Sequence, residues 1–449
     1  MTKYFQAYKD LARLGLPILV GQLGMIVVGF ADNIMVGHYS TEALASASFV
    51  NNIFNVAVFC CIGFTYGLTP LVGALFGNGE KTSIGALTRI ALWLNIAYTI
   101  VIMGVMTIIY FNIHRLGQPD ELLPLIRPYY LLFLMGMLPI TVFNVAAQWS
   151  YGINNTAFPM WIILGGNVLN VLGNYALIYG HLGLPELGLT GAGISTFAAR
   201  CVCPAIMLAV MFCARRFRDY RAGILKSPAR TGDLKLLWRT SLPVSMQLSF
   251  ESGSFTMAAV MVGWLGAVPL AAFQIVVIVG TLGFCIYYSL GSAITIKVAN
   301  AAGTASNSLM RYYAWAGYHM MLVLALISSM IFSLGGRHLM QLFSDDVRVV
   351  SLAASLIFPL VLYQLGDATQ ITFAGALRGT SHVMPMLWIA FISYIVVGLP
   401  ATYLLCFTFS LATYGVILSF SVCLFLAAVL FLHYFLKVTR KPNLILTEL

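Results

Sequence analysis

This sequence contains few charged residues. Only 8% of its 449 residues are Asp, Glu, Lys or Arg, whereas 60% are hydrophobic. A soluble protein carries about a quarter charged residues. The scarcity excludes a soluble globular protein and predicts a polytopic membrane protein embedded in a lipid bilayer. The net charge of +10 would suit nucleic acid, but the basic residues cluster in alternate loops, so we expect no nucleic acid partner.

Several chemical signatures are also missing. No Gly-Lys-Ser or Gly-Lys-Thr phosphate loop occurs, which argues against ATP as the energy source. The seven His and eight Cys show no zinc-type spacing. The Cys fall in apolar runs, where we interpret them as small buried hydrophobic residues. The N-terminus lacks the hydrophobic core of a removable signal peptide, so we expect the first span to be retained.

Twelve apolar segments are each long enough to cross a membrane, since about 20 apolar residues suffice. They lie at about 14–37, 50–76, 87–111, 122–146, 157–180, 187–214, 241–265, 268–296, 312–334, 347–376, 383–407 and 409–436. An even number of spans places both chain ends on one side of the membrane.

Loop charge predicts which side that is. Basic residues precede the first span, follow the last and crowd the central linker; they include Lys3, Lys9, Arg13, Arg215, Arg216, Arg218, Arg221, Lys226, Arg230, Lys235, Arg239, Lys437, Arg440 and Lys441. Only Arg115, Arg127, Arg337 and Arg348 lie in or beside the opposite loops. We therefore expect both termini and the linker to be cytoplasmic, in the plasma (inner) membrane.

The linker also divides an internal repeat. Leu16-Pro17 opens the first span and Leu242-Pro243 opens the seventh, and further matches keep nearly the same offset. This predicts an N-terminal six-helix bundle at 1–214, a basic linker at 215–240 and a C-terminal six-helix bundle at 241–449. Bundles with the same orientation are expected to be related by a pseudo-two-fold axis along the membrane normal, with a central cleft suited to alternating access. The repeated prolines are structural kinks or bend points for gating.

Three acids lie deep within predicted spans: Asp32, Glu251 and Asp367. Glu251 has no Lys, Arg or His within ten residues on either side, and placing such a group in the membrane costs roughly 2 to 4 kcal/mol. None of the three has a basic neighbour one helical turn away. They are expected to take up a proton, a metal ion or a cationic ligand, or else to be structural acids bonded to amides and hydroxyls.

Amides and hydroxyls accompany these acids. Asn170, Asn174 and Thr196 offer oxygen ligands in the N-terminal half, which hard cations prefer, although such groups also join helices inside membranes. Arg200 lies four residues after Thr196. It either pairs with Asp32, which would leave no cation site there, or extends to the cytoplasmic surface and leaves Asp32 free.

Residues 31–37 (ADNIMVG), the twelve-span repeat, Glu251 and Asp367 together resemble the MATE (multidrug and toxic compound extrusion) family, and its NorM-type branch in particular. The resemblance runs nearly end to end. It implies a transporter, not an enzyme, that exports small organic cations in exchange for Na⁺ or H⁺, without any cofactor or obligate protein partner. A lipid-linked oligosaccharide flippase and a polytopic membrane enzyme are the alternatives.

The resemblance also implies roles for individual residues. Asp32, Glu251 and Asp367 match the family's cation-binding acids, which would hold Na⁺ if the coupling ion is sodium. Asn170, Asn174 and Thr196 match a polar cluster beside Asp32. Gln274 matches a polar position of the outward-facing cavity, and Asp345 and Asp346 match positions in its outer vestibule.

Overall fold

The structure, a computed structural model, describes residues 4–116, 119–227 and 232–440. Every regular element in these residues is a helix, so the predicted all-α fold is confirmed. Lys3, Arg230 and Lys441, which contribute to the charge pattern above, lie outside the described residues.

The described residues form sixteen α-helices. They are α1 (Phe5–Tyr39), α2 (Thr41–Thr65), α3 (Leu68–Gly77), α4 (Lys81–Phe111), α5 (Leu123–Gly152), α6 (Ala157–Ile178), α7 (Gly188–Cys213), α8 (Arg218–Lys226), α9 (Asp233–Gly263), α10 (Ala267–Gly303), α11 (Asn307–Gln341), α12 (Val347–Ser355), α13 (Ile357–Gly379), α14 (Met384–Ala390), α15 (Leu399–Tyr403) and α16 (Ala412–Val438). Two π-helical segments, Phe391–Gly398 and Leu404–Thr408, flank α15.

Ten helices of the described chain are long and apolar enough to cross a membrane, or eleven if α12 and α13, which meet at a 47° bend, count as one span. The protein is therefore a multi-pass membrane protein. The predicted segment at 241–265 forms α9, which is not among these helices. At 31 residues α9 is long enough, but Gln247, Glu251 and several serines make it less apolar.

The helices group into two compact units. The N-unit is Val20–Ser245, and the C-unit combines Met1–Leu19 with Met246–Leu449. Both boundaries lie inside helices, close to Pro17 in α1 and Pro243 in α9, and not in the linker at 215–240. Each of these two helices thus contributes its first turns to one unit and the remainder to the other.

The first turns of α1 pack in the C-unit and the first turns of α9 pack in the N-unit, at related positions of the sequence repeat. In the C-unit, a Cβ on Gly15 would lie 3.5 Å from the carbonyl oxygen of Ser289, near Gly291 in α10. In the N-unit, Ser241 lies directly against Gly67. Gly15 and Ser241 differ by the repeat offset of 226, and Gly67 and Gly291 by 224. Gly15 approaches α10 at Ser289 and Leu290, beside Gly291, so the two contacts fall at neighbouring positions of the repeat.

Each unit has its own aromatic core. In the N-unit, the Phe54 and Tyr130 rings lie 4.7 Å apart and the Tyr130 hydroxyl donates to the Met106 carbonyl at 2.7 Å. In the C-unit, the Phe255 and Phe420 rings meet edge to face at 4.5 Å. Edge-to-face aromatic pairs favour tight packing, and the C-unit pair joins α9, which carries Glu251, to α16.

All eight cysteines are free thiols. Four are buried, as expected of small hydrophobic residues: Cys61, Cys285, Cys406 and Cys423. Cys213 differs from the expectation because it is exposed at the end of α7.

Candidate functional site

The first candidate site lies in the N-unit, where α1 and α6 meet. Asp32 is half-buried on α1, and Asn174 is completely buried on α6. The Asn174 amide nitrogen donates a hydrogen bond to the Asp32 carboxylate. The contact bridges 142 positions of sequence. Asp32 is thus held by a neutral donor, which orients the carboxylate without cancelling a charge.

Asn170, one turn earlier on α6, continues this polar cluster toward α7. Its amide nitrogen donates to the Thr196 hydroxyl at 3.1 Å, and the Ser195 hydroxyl donates to its backbone carbonyl at 2.7 Å. The side-chain oxygens of Asn170 and Asn174 are buried and accept no hydrogen bond from the described residues. Buried oxygens without donors are uncommon in proteins, and here they leave acceptors available for a cation or water.

Arg200 does not form an ion pair with Asp32 within the described part of the chain. Its guanidinium carbon lies 4.4 Å from the centroid of the Phe133 ring, and its side chain packs against Gly136. A Cβ at position 136 would lie 3.0 Å from Arg200 Nη1. The positive charge acts on Asp32 through space only, and a cation–π contact holds the guanidinium on α5 instead.

The second candidate site lies in the C-unit. Glu251 is half-buried on α9, and Asp367 is 1% exposed on α13. The two carboxylates are close enough for their charges to interact. Tyr363, one turn before Asp367, packs against the buried cluster around Tyr394. Both tyrosines lie within electrostatic range of both acids.

Several polar atoms around these acids are buried and have no hydrogen-bond partner among the described residues. They are Asp367 Oδ2, both amide atoms of Gln364, Gln370 Oε1 and Gln247 Oε1. Gly283 makes room for one of them, because a Cβ there would lie 2.6 Å from Gln364 Oε1. This density of unsatisfied polar groups is costly in a folded protein unless an ion, water or ligand occupies the site.

Sequence reasoning missed three residues of this site. Gln247 lies one helical turn before Glu251, and that spacing alone could have indicated it. Tyr394 lies in the π-helical segment 391–398, for which the sequence contains no signal. Arg378 lies eleven residues after Asp367 on α13, too far along the helix for a direct pair. Its charge acts on Glu251 of α9 instead, in the same unit.

The three remaining predicted residues lie outside both clusters. Gln274 is exposed on α10 and Asp345 is exposed before α12. Asp346 caps α12: its carboxylate accepts from the Arg348 amide at 2.9 Å and pairs with the Arg348 guanidinium at 2.9 Å. The side-chain hydrogen bond from Arg348 holds the pKa of the Asp346 carboxyl below its ordinary value of 3.8.

Across the described residues, no three His, Cys, Asp or Glu side chains lie together as a metal cluster. Both sites instead combine carboxylates with amide and hydroxyl oxygens. Oxygen-only surroundings suit hard cations such as Na⁺, and a carboxylate can equally take a proton.

Comparison with known proteins identifies the fold. The sequence model of the family described as MatE matches residues 17–176 and 243–404. The eukaryotic MATE transporter AtDTX14 superposes with a TM-score of 0.87 at 18% identity, covering 98% of this chain and 99% of that one.

Two further solved structures have the same fold. A variant of the Vibrio cholerae MATE transporter VcmN has a TM-score of 0.87 at 17% identity, covering 99% of this chain and 100% of that one. A MOP superfamily transporter from Pyrococcus furiosus has a TM-score of 0.87 at 18% identity, covering 97% of both chains, and its binding pocket is described as having reversed polarity that suggests a different function.

Proposed function

This chain belongs to the MatE family of membrane transporters, and from that premise we propose that it is a secondary active antiporter. It exports cationic amphiphilic compounds in exchange for Na⁺ or H⁺ by alternating access. Its partners are small organic cations and the bilayer itself. We place it in the plasma (inner) membrane with both termini cytoplasmic, as the loop charge favours.

One observation carries this proposal: Asp367 is almost completely buried and one of its carboxylate oxygens has no hydrogen-bond donor among the described residues. An ionised group in the membrane interior costs about 3 kcal/mol. Glu251 adds a second negative charge nearby, which raises that cost. A bound cation lowers it, and binding of a cation is what coupled transport requires.

The proposed exchange is competitive. The coupling cation occupies Glu251 and Asp367, and the organic cation leaves because the same negative charge cannot neutralise both. Either cation shifts the equilibrium between inward-facing and outward-facing states only through its different affinity for the two states. Asp32, with the unsatisfied oxygens of Asn170 and Asn174, forms a separate acidic centre in the N-unit that serves the same exchange.

The test is efflux of a cationic dye from proteoliposomes containing the purified protein, with a Na⁺ gradient and a pH gradient imposed in separate experiments. We expect one gradient to drive efflux in the unmodified protein. We expect Glu251→Gln and Asp367→Asn to abolish it, because each removes a carboxylate that attracts the coupling cation.

Asp120→Asn and Glu121→Gln are the matched controls, since both acids are exposed in a short 3-10 helix between α4 and α5 and their neutralisation should leave efflux unchanged. Gradient-driven efflux at the unmodified rate in both Glu251→Gln and Asp367→Asn would contradict the proposal. Thermal stabilisation by a lipid-linked sugar, and not by the dye, would point to a flippase instead.

A further inference from the structure

Three exposed arginines follow the end of α7. Arg215, Arg216 and Arg218 come directly after the helix that ends at Cys213, and all three are exposed. Within the described residues none of them forms an ion pair. The nearby acid Asp219 pairs with Lys81 instead, at 3.3 Å.

The segment that carries these arginines is held firmly against α4. Gly223 on α8 lies against the backbone of Thr82, and Gly85 on α4 lies against the carbonyl of Tyr220; neither position has room for a Cβ. Two helices whose backbones meet at paired glycines are packed as closely as helices can be. α8 is therefore a docked helix, whereas a flexible linker would sample many positions.

Two other arginines fasten the ends of this segment. Arg89 donates to the carbonyl of Ile224 in the last turn of α8 at 2.8 Å, and to that of Ser227, directly after the helix, at 2.9 Å. Arg221 donates to the carbonyl of Phe212 near the end of α7. Arg89 on α4 and Arg221 on α8 therefore bind backbone carbonyls, whereas the three exposed arginines bind none that the structure describes.

The inner side of the segment is aromatic. The Trp149 ring lies 5.1 Å from Phe217 and 5.7 Å from Tyr220, so these side chains fix α8 on the N-unit. Arg218 and Leu225, two helical turns apart, share the opposite face, and both are exposed. An exposed face that combines basic and apolar side chains is typical of a helix lying at a membrane surface.

The position of the segment relative to the bilayer supports this. α7 is long and apolar enough to span the membrane and ends at Cys213, two residues before Arg215. In the same unit, Trp238 at the start of α9 is 44% exposed while its ring contacts Phe64 at 5.6 Å. Tryptophan concentrates at the level of the lipid headgroups, and so do arginines that follow a span.

We propose that Arg215, Arg216 and Arg218 form a binding site for the phosphate headgroups of anionic phospholipids. Guanidinium groups bind phosphate oxygens in a two-pronged geometry. Arg216 is already stacked on the Phe217 ring at 4.5 Å, which restricts its rotamers before a lipid binds. Because α8 is docked on α4, lipid bound here contacts the N-unit through a rigid segment.

The test is native mass spectrometry of the purified full-length protein after mixing with phosphatidylglycerol or phosphatidylethanolamine. The triple variant Arg215→Gln, Arg216→Gln, Arg218→Gln should retain phosphatidylglycerol with roughly a hundredfold weaker affinity. Its retention of zwitterionic phosphatidylethanolamine should be unchanged. Equal loss of both lipids, or no loss of either, overturns the proposal.

Two matched variants make the result specific. Arg115→Gln, Arg127→Gln, Arg337→Gln removes the same charge from exposed positions elsewhere and should leave phosphatidylglycerol retention unchanged; a similar loss there overturns the assignment to the linker. Replacing the three linker arginines with lysine keeps the positive charge, so this variant should retain most of the bound phosphatidylglycerol. It also controls for misfolding caused by substitution at these three positions. Complete displacement of phosphatidylglycerol by equimolar inorganic phosphate would show that the site binds free phosphate, and would overturn the proposal that it binds a lipid.

Discussion

Asn174 donates its amide hydrogen to the carboxylate of Asp32, joining α6 to α1 inside the N-unit. The same amide group carries a buried oxygen that accepts nothing from the described residues. Asn174 therefore both positions the acid and presents an acceptor beside it. A cation at Asp32 would gain from both groups, whereas an empty site leaves the amide oxygen unsatisfied.

The pairing of these residues predicts strong coupling between them. Asn174→Ala should lower the initial rate of dye efflux about tenfold, because a hydrogen bond to a charged group is worth about 1.5 kcal/mol or more. In a protein that already carries Asp32→Asn, adding Asn174→Ala should have little further effect, since the effects of substituting two residues in contact do not add. Efflux rates of the two single variants and the double variant measure this. Simple multiplication of the two effects would contradict a shared role.

Tyr394 offers a way to separate stability from cation binding. Its hydroxyl is buried beside Glu251 and is directed as a donor at the Glu251 carboxylate. A hydrogen bond to a charged group is worth about 1.5 to 3 kcal/mol, so phenylalanine here removes a donor that orients the ionised Glu251 carboxylate. Tyr394→Phe should therefore reduce the rise in melting temperature that Na⁺ produces, because the carboxylate that binds the cation is less well oriented.

The control for that experiment is Tyr130→Phe, since the Tyr130 hydroxyl already donates to the Met106 carbonyl at 2.7 Å. This substitution breaks a satisfied bond and should lower the melting temperature in both buffers. Equal behaviour of the two variants would argue that the Tyr394 hydroxyl has no special role.

The close contact of α8 and α4 predicts intolerance of a single methyl group. Gly223→Ala would push a Cβ into the Thr82 carbonyl, and overpacking of this kind costs about 1 to 3 kcal/mol. Gly232→Ala lies nearby in the sequence with open space around it, so it should be neutral. Thermal unfolding of both variants decides this, and a stable Gly223→Ala protein would show that α8 is not rigidly docked.

The cap of α12 predicts a local pH response. Arg348 holds the pKa of Asp346 below its ordinary 3.8, so ionised Asp346 stabilises the start of α12 above that pH. The stabilisation is lost as the pH falls through the lowered pKa, when the carboxylate takes up a proton. Hydrogen exchange at the Arg348 amide, corrected for its intrinsic pH dependence, should accelerate in that acidic range.

Two variants test the cause of this response. In Asp346→Asn the capping oxygen remains but no longer titrates, so exchange should not change with pH in this range. In Arg348→Gln the loss should begin at a higher pH, closer to 3.8. An unchanged midpoint in Arg348→Gln would mean that Arg348 does not stabilise the ionised carboxylate.

Much of the fold follows from periodicity and composition. Long apolar segments indicated the spanning helices, because burying a backbone in lipid requires helical hydrogen bonding along the whole segment. The repeat at offsets of 226 and 224 placed the packing contacts of Gly15 and Ser241 at neighbouring positions of α10 and the start of α3. The unit boundaries inside α1 and α9 carried no sequence signal, since nothing in a continuous apolar helix marks where its neighbours change.

The three acids could be recognised from the sequence because an ionisable residue in an apolar run is costly wherever it lies. Their surroundings could not be. Only tertiary packing decided that Asp32 receives the Asn174 amide, that Arg200 stacks on Phe133, and that Arg378 acts on Glu251. Composition determines which ionisable groups must enter the membrane. The partner of each group depends on which helices pack together, and local sequence spacing does not specify the packing of helices that are far apart in the chain.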